Sequence, residues 1–231
     1  MKHLNKDHSI QNPKVLLTNL NSELSYLLAQ EFATNGFELF TINKNIEKNY
    51  LNLKFHSVEL QEIEKISFDI LILNEGKEVC GPFLETDFNK EELFLYESLI
   101  ENLKTLKIVL KKMKERNHGK ILFFSSPGPY LEPCYEAITG AYRSFVYSFI
   151  SGLRKELNET EIQITDLLPF LNDLIHFEKI DFIRSPEKFS VEIFNALMSG
   201  KKHIIEPHLT HKFENFFKNT LFDYPSKFFL N

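Results

Sequence analysis

The sequence predicts an α/β protein, one domain built on a doubly wound parallel sheet. Three observations carry that prediction. Short apolar runs alternate with amphipathic stretches of ten residues or more along most of the chain, the order that helical crossovers between parallel strands require. The run FDILILN (68–74) is apolar almost without alternation, as a strand buried on both faces must be. The 231 residues suffice for one large domain, and no repeat, low-complexity tract or linker divides them.

Each element has a local justification. Val15 to Leu17 read as the first strand. A polar turn follows, then a helix with apolar Leu24, Leu27, Leu28 and Phe32 that stops at Asn35-Gly36. FELFTIN (37–43) is the second strand. NLKFHSVEL (52–60) is a shorter third strand, backed by a helical turn in QEIEKI (61–66), and FDILILN is the fourth. A long helix is expected from about Lys90 to Arg116, with apolar Leu93, Leu95, Leu99, Leu103, Leu106, Val109, Leu110 and Met113, ending at His118-Gly119. KILFFSS (120–126) is the fifth strand, a helix from about Tyr135 to Glu156 follows, and IQITDLLP (162–169) is the sixth. A helix over 186–200 closes at Gly200 before a last short strand, HIIEP (203–207). Residues 1–12 are polar and expected to form a flexible arm ahead of a domain spanning 13–231.

Bulk properties narrow the function. The chain is 43% hydrophobic and 26% charged with a net charge of −5, which argues against a nucleic-acid or anionic-membrane partner. Lysines gather at 104–120, but interleaved leucines and valine at helical spacing make them a solvated helix face. The N-terminus lacks the apolar centre of a signal peptide, and no run approaches the roughly 18–20 apolar residues needed to cross a membrane. Two cysteines, Cys80 and Cys134, are too few for a disulfide framework, so a cytoplasmic location is expected. The eight histidines show no metal-ligand spacing; His203, His208 and His211 cluster only loosely, and no metal is expected. Cys134 lacks a visible activating base and reads as a structural thiol.

Six segments in order resemble the short-chain dehydrogenase/reductase family over roughly residues 13–227. Lys14 to Gly36 matches its opening strand–turn–helix unit, and Asn74-Glu75-Gly76 ends the fourth strand where the family carries Asn-Ala-Gly. Residues 113–121, MKERNHGKI, match the turn into the strand that bears the family's catalytic serine. Residues 135–141, YEAITGA, match the tyrosine–lysine segment. Leu168-Pro169 stands where Pro-Gly follows the sixth strand, and Ser185-Pro186-Glu187 opens a late helix. The resemblance implies a Rossmann-like fold, a nicotinamide cofactor (NAD or NADP) and oligomers formed through the two long helices, here near 90–116 and 135–156.

The residues that perform the family's chemistry are changed. Its pyrophosphate turn, Thr-Gly-x-x-x-Gly-x-Gly, aligns with Thr18-Asn19-Leu20-Asn21-Ser22-Glu23-Leu24-Ser25, so all three glycines are replaced. Each replacement adds a Cβ where backbone should meet phosphate, and Glu23 adds a negative charge at a helix N-terminus that already complements it. Tyr135 keeps the family's proton-donor position, but its lysine is Thr139. A tyrosine without a neighbouring cation keeps a pKa near 10 and donates poorly at neutral pH. Arg143 is about 12 Å along the helix from Tyr135 and reads as a poor substitute. Ser126 (or Ser125) is the remnant of the carbonyl-orienting serine, Ser98 replaces the relay asparagine, and Phe170 replaces the glycine after Pro169. Remaining cofactor candidates are Thr18, Asn19, Ser22, Leu24, Asn74 and Gly76, with Lys44 either selecting a 2′-phosphate or simply solvated in a polar turn. The expected function is a degenerate, non-catalytic subunit or binding protein that holds no cofactor tightly. It would pair with itself or with an intact homologue, and a small-molecule ligand is possible. The alternative is an NAD(P)-dependent oxidoreductase with a non-standard active site.

Overall fold

The computed structural model describes residues 12–20, 22–42, 52–124, 137–168 and 185–205. Seven strands form one all-parallel sheet in the order β3-β2-β1-β4-β5-β6-β7. They are β1 (Lys14–Leu17), β2 (Glu38–Thr41), β3 (Phe55–Ser57), β4 (Ile70–Leu73), β5 (Gly119–Phe124), β6 (Ile162–Leu168) and β7 (His203–Ile205). The helices are α1 (Glu23–Thr34), α2 (Leu60–Ile63), α3 (Phe88–Leu95), α4 (Asn102–Glu115), α5 (Ala137–Glu156) and α6 (Pro186–Met198).

Strand alternation divides the core into two layers. Leu16, Leu71, Leu73, Ile121 and Phe123 face α3, α4 and α5, where Phe94, Leu106, Val109, Met113, Val146 and Ile150 meet them. Their neighbours Val15, Leu17, Ile70, Ile72, Leu122 and Phe124 face α1 and α6, where Leu28, Phe32, Ile193, Phe194 and Leu197 lie. Phe32, Phe37 and Phe194 pack edge to face in that second layer. Some of the abundant phenylalanine therefore fills the gap between helix and sheet, each such side chain contributing about 1.5–3 kcal/mol. Gly36, at φ +83°, supplies the left-handed residue that turns α1 into β2.

The expected long helix near 90–116 is interrupted. Its first part, α3, and its last, α4, are joined by a π-helical turn over Tyr96–Glu101. Inward-facing residues explain the widening: Phe94, Ser98, Asn102 and Leu106 are all buried at spacings of four. Three such steps overshoot a 3.6-residue period, and the wider π-turn absorbs the excess. No helix of the described residues is long and apolar enough to cross a membrane.

Candidate functional site

In an open α/β sheet the crevice forms where strand order reverses, at the carboxyl ends of the strands. Here that is the gap between β1 and β4. Thr18 leaves β1 and Asn74 leaves β4, and the two are cross-linked. The Asn74 backbone N–H donates to Thr18 Oγ1 at 2.9 Å, and Thr18 N–H donates to Ile72 O at 3.1 Å. Asn19 completes the bridge: its Nδ2 donates to Asn74 O at 3.1 Å while Asn74 Nδ2 donates to Asn19 O at 2.8 Å. All three residues are buried.

The π-helical turn supplies a second set of contacts. Gly76 N–H donates to Ser98 Oγ at 2.8 Å. Asn102 Nδ2 donates to Asn74 O at 2.8 Å and to Ser98 O at 2.9 Å, satisfying the latter within the disturbed turn. A Cβ at Gly76 would stand 2.7 Å from Glu97 Oε2, 3.0 Å from Glu97 Cβ and 3.2 Å from Ser98 Oγ, so a larger residue there would make Glu97 and Ser98 shift. Of the sequence candidates, Thr18, Asn19, Asn74, Gly76 and Ser98 thus converge on one locus. Asn102 was not anticipated, although a polar residue four positions after Ser98 on an otherwise apolar helix face was a readable sign.

At the start of α1, Ser22 and Ser25 cap each other. Ser25 N–H donates to Ser22 Oγ and Ser22 N–H donates to Ser25 Oγ, both at 3.2 Å. Two amides that face the entry of the helix are therefore already satisfied by side chains of the same turn. Glu23 is exposed in the first turn and Leu24 is half-buried. Ser125, Ser126, Cys134, Tyr135, Lys44, Pro169 and Phe170 lie outside the described residues, as do His208, His211 and residues 1–11 of the expected arm.

Thr139, which the sequence resemblance aligns with the family's lysine, lies on α5. It is buried there and its hydroxyl donates to Val79 O at 3.3 Å. One turn on, Arg143 is also buried and pairs with Glu78, with Glu75 Oε2 a further 3.9 Å from its Nε. The sequence weighed Arg143 only as a substitute cation for Tyr135, and a poor one. The structure gives it another task, because two glutamates on the segment after β4 claim its guanidinium. Tyr142 stands beside this cluster. Burial pushes its phenol well above the usual tyrosine range and the Glu75 charge pushes it the same way, against weaker opposition from Asn102 and Arg143. It stays a neutral phenol.

Beyond β2 and β3, a cavity of about 240 Å³ is lined by Ile42, Val58, Glu59, Leu60, Gln61 and Glu101. Burial raises the Glu101 carboxyl and Glu97 adds to the effect, while Lys104 opposes it. With two carboxyl groups in its wall, this cavity is a poor host for a phosphate. Among the described residues no group of three His, Cys, Asp or Glu side chains gathers as a metal site.

Comparison with known proteins agrees with this fold. The bulky-bulky ketone specific alcohol dehydrogenase of Comamonas testosteroni superposes with a TM-score of 0.74, covering 93% of this chain and 95% of that one at 16% identity. A short-chain dehydrogenase of Streptomyces avermitilis gives 0.72 over 91% and 94% at 16% identity. The serine dehydrogenase of Escherichia coli gives 0.63 over 79% and 90% at 20% identity. The chain has the fold of the short-chain dehydrogenases. In sequence it is 23% identical over 187 residues to an uncharacterized oxidoreductase of Staphylococcus saprophyticus, covering 71% of this chain and 80% of that protein. No family model matches the chain.

Proposed function

We propose that this protein is a degenerate member of the short-chain dehydrogenase/reductase family that performs no efficient hydride transfer and serves as a non-catalytic subunit or binding protein in the cytoplasm. The observation that carries this reading is the Asn19–Asn74 bridge. The first glycine of a pyrophosphate turn is replaced by Asn19, whose side-chain amide crosses the switch point and donates to the Asn74 carbonyl, while its backbone carbonyl accepts from Asn74 Nδ2. Glu23 and Ser25 occupy the other two glycine positions, and the Ser22–Ser25 cap takes up two amides. These residues do not fit a pyrophosphate. What the chain's own residues do is close the cleft. The neutral amide network seals the switch point, and Arg143 with Glu75 and Glu78 fastens α5 to the segment after β4.

Calorimetric titration with NADH and with NADPH tests this reading. The expected result is no saturable binding tighter than about 100 µM; a micromolar dissociation constant for either would overturn it. The fold shared with dehydrogenases and the distant oxidoreductase relative favour a second reading, an NAD(P)-dependent oxidoreductase that uses Tyr135 and Ser126 with a cofactor seated by other contacts. A Tyr135→Phe substitution that abolishes a measurable NADPH-dependent reduction would establish it. In either case subunit contact runs through the helices near 90–116 and 135–156.

A further inference from the structure

Among the described residues, the three most exposed large apolar side chains stand on one short segment, between β4 and α3. Leu84 is 94% exposed, Phe88 72% and Phe83 60%. The backbone beneath them is well braced. Glu85 and Thr86 N–H groups both donate to Pro82 O, at 2.8 and 3.1 Å. Thr86 Oγ1 donates to Oε1 of the buried Glu91, and Asp87 caps α3 by accepting from Asn89 N–H at 3.0 Å. A single exposed apolar residue needs no explanation, whereas a cluster held out into water on an ordered frame marks an interaction surface.

We propose that residues 227–230 of this same chain, Lys-Phe-Phe-Leu, dock on that patch. Residues 206–231 lie outside the described residues, but their composition calls for burial: six of the chain's 23 phenylalanines fall there. Charge selects the docking run. On the patch, exposed Glu85 and Asp87 separate Phe83 and Leu84 from Phe88. Beyond β7, the apolar run at 213–217 is broken by Glu214, and the pair at 221–222 ends against Asp223. Phe228-Phe229-Leu230 is led by Lys227 and has no acid beside it. Lys227 therefore matches Glu85 and Asp87 while the apolar run matches the three exposed side chains. Reach is ample. β7 stands three strand spacings from β4, about 14 Å, and the stretch from Ile205 to Phe228 can span roughly 75 Å. The tether also sets an effective concentration of about a millimolar, well above that of a second copy at micromolar protein. On its way from β7 to the patch the segment passes the carboxyl ends of β6 and β5, so the same contact roofs the cleft. The inference uses neither the loss of catalysis nor the helices of subunit contact.

The chain contains no tryptophan, so Leu84→Trp in the full chain places a single fluorescent reporter on the patch. Its emission is expected to lie to the blue of free tryptophan and to resist quenching by acrylamide. In that background, Phe228→Ser with Phe229→Ser should lower the docked-to-undocked ratio about tenfold or more. Both readings then return towards those of free tryptophan, with the circular dichroism spectrum unchanged. Lys227→Glu should lower the ratio about threefold, and Glu85→Lys added to it should largely restore it. A reporter as accessible as free tryptophan in the Leu84→Trp chain would overturn the inference, as would shielding that survives the serine substitutions. Charge reversals that fail to compensate would do the same. Shielding that disappears on dilution would assign the covering segment to a second copy and overturn docking within one chain. Titration of the unsubstituted chain with NADH and NADPH reads the proposed function separately, so either conclusion can fail alone.

Discussion

The two sides of the cleft are closed by different physics. At the switch point Thr18, Asn19, Asn74 and Asn102 form a neutral, buried hydrogen-bond network. Across from it, Arg143 and its glutamates form a buried ion pair, with the arginine side chain only 6% exposed. A neutral network distributes its cost, since each lost partner strands one amide or carbonyl. An ion pair concentrates its cost, since removing the cation strands charge in a poorly solvated place. Arg143 is therefore the critical side chain here, and the amides of the neutral network are individually replaceable.

Arg143→Met has the largest expected effect. It should cost about 3–5 kcal/mol, the range for removing one partner of a buried pair, read as a lowered midpoint in urea unfolding with unchanged slope. A loss below about 1 kcal/mol would mean that the glutamates relax into water and that α5 is held by packing alone. On the neutral side, Asn74→Ala removes the donor to Asn19 O and the acceptor for Glu75 N–H. A smaller loss of about 1–3 kcal/mol is expected. If the two substitutions cost the same, the distinction between concentrated and distributed closure fails.

A third cluster, away from the cleft, is the control for the charged side. Asp166 on β6 is buried and accepts from Arg154 Nη2 on α5 and from His203 Nδ1 on β7, both at 2.7 Å. Burial alone would raise its carboxyl, but hydrogen bonds from His203 and Arg154 outweigh burial and hold it below the ordinary value. With the folded pKa depressed, its contribution is complete above the unfolded value of about 3.9 and is lost as pH falls through the folded one. Asp166→Asn should therefore be less stable than the parent at pH 7, with the difference shrinking as pH falls below 4. A difference that does not depend on pH would assign Asp166 a purely steric role.

The sheet was legible because alternation, apolar runs and Asn35-Gly36-type endings are local signals. The meeting of Thr18, Asn19, Asn74, Gly76 and Ser98 followed from strand order. What escaped is non-local or cumulative. Arg143 looks like an ordinary surface arginine until Glu75 and Glu78, more than sixty residues earlier, are folded onto it. The π-helical turn arises from three consecutive four-residue steps between Phe94 and Leu106, none unusual by itself. Leu93 shows the limit of apolar pattern reading: one of the apolar positions that mark the long helix, it is 56% exposed.

The smallest effect sharpens the neutral side. Asn19→Gly combined with Glu23→Gly removes the side-chain bond from residue 19 to Asn74 O and the charge at the start of α1 while keeping the Ser22–Ser25 cap and the Asn74 Nδ2 bond to the residue-19 carbonyl. If side-chain occupation and charge at this turn exclude the nucleotide, NADH affinity should rise about tenfold, at a stability cost near 1 kcal/mol from added backbone freedom. The gain stays modest because Arg143 still fastens the opposite wall. Adding Ser22→Ala removes one half of the cap and costs a further 0.5–2 kcal/mol, roughly. If that triple variant binds better than the double, the cap itself competes with phosphate for the helix amides. If neither variant binds better than the parent, the turn is not the barrier, and the charged wall around Arg143 decides what the cleft admits.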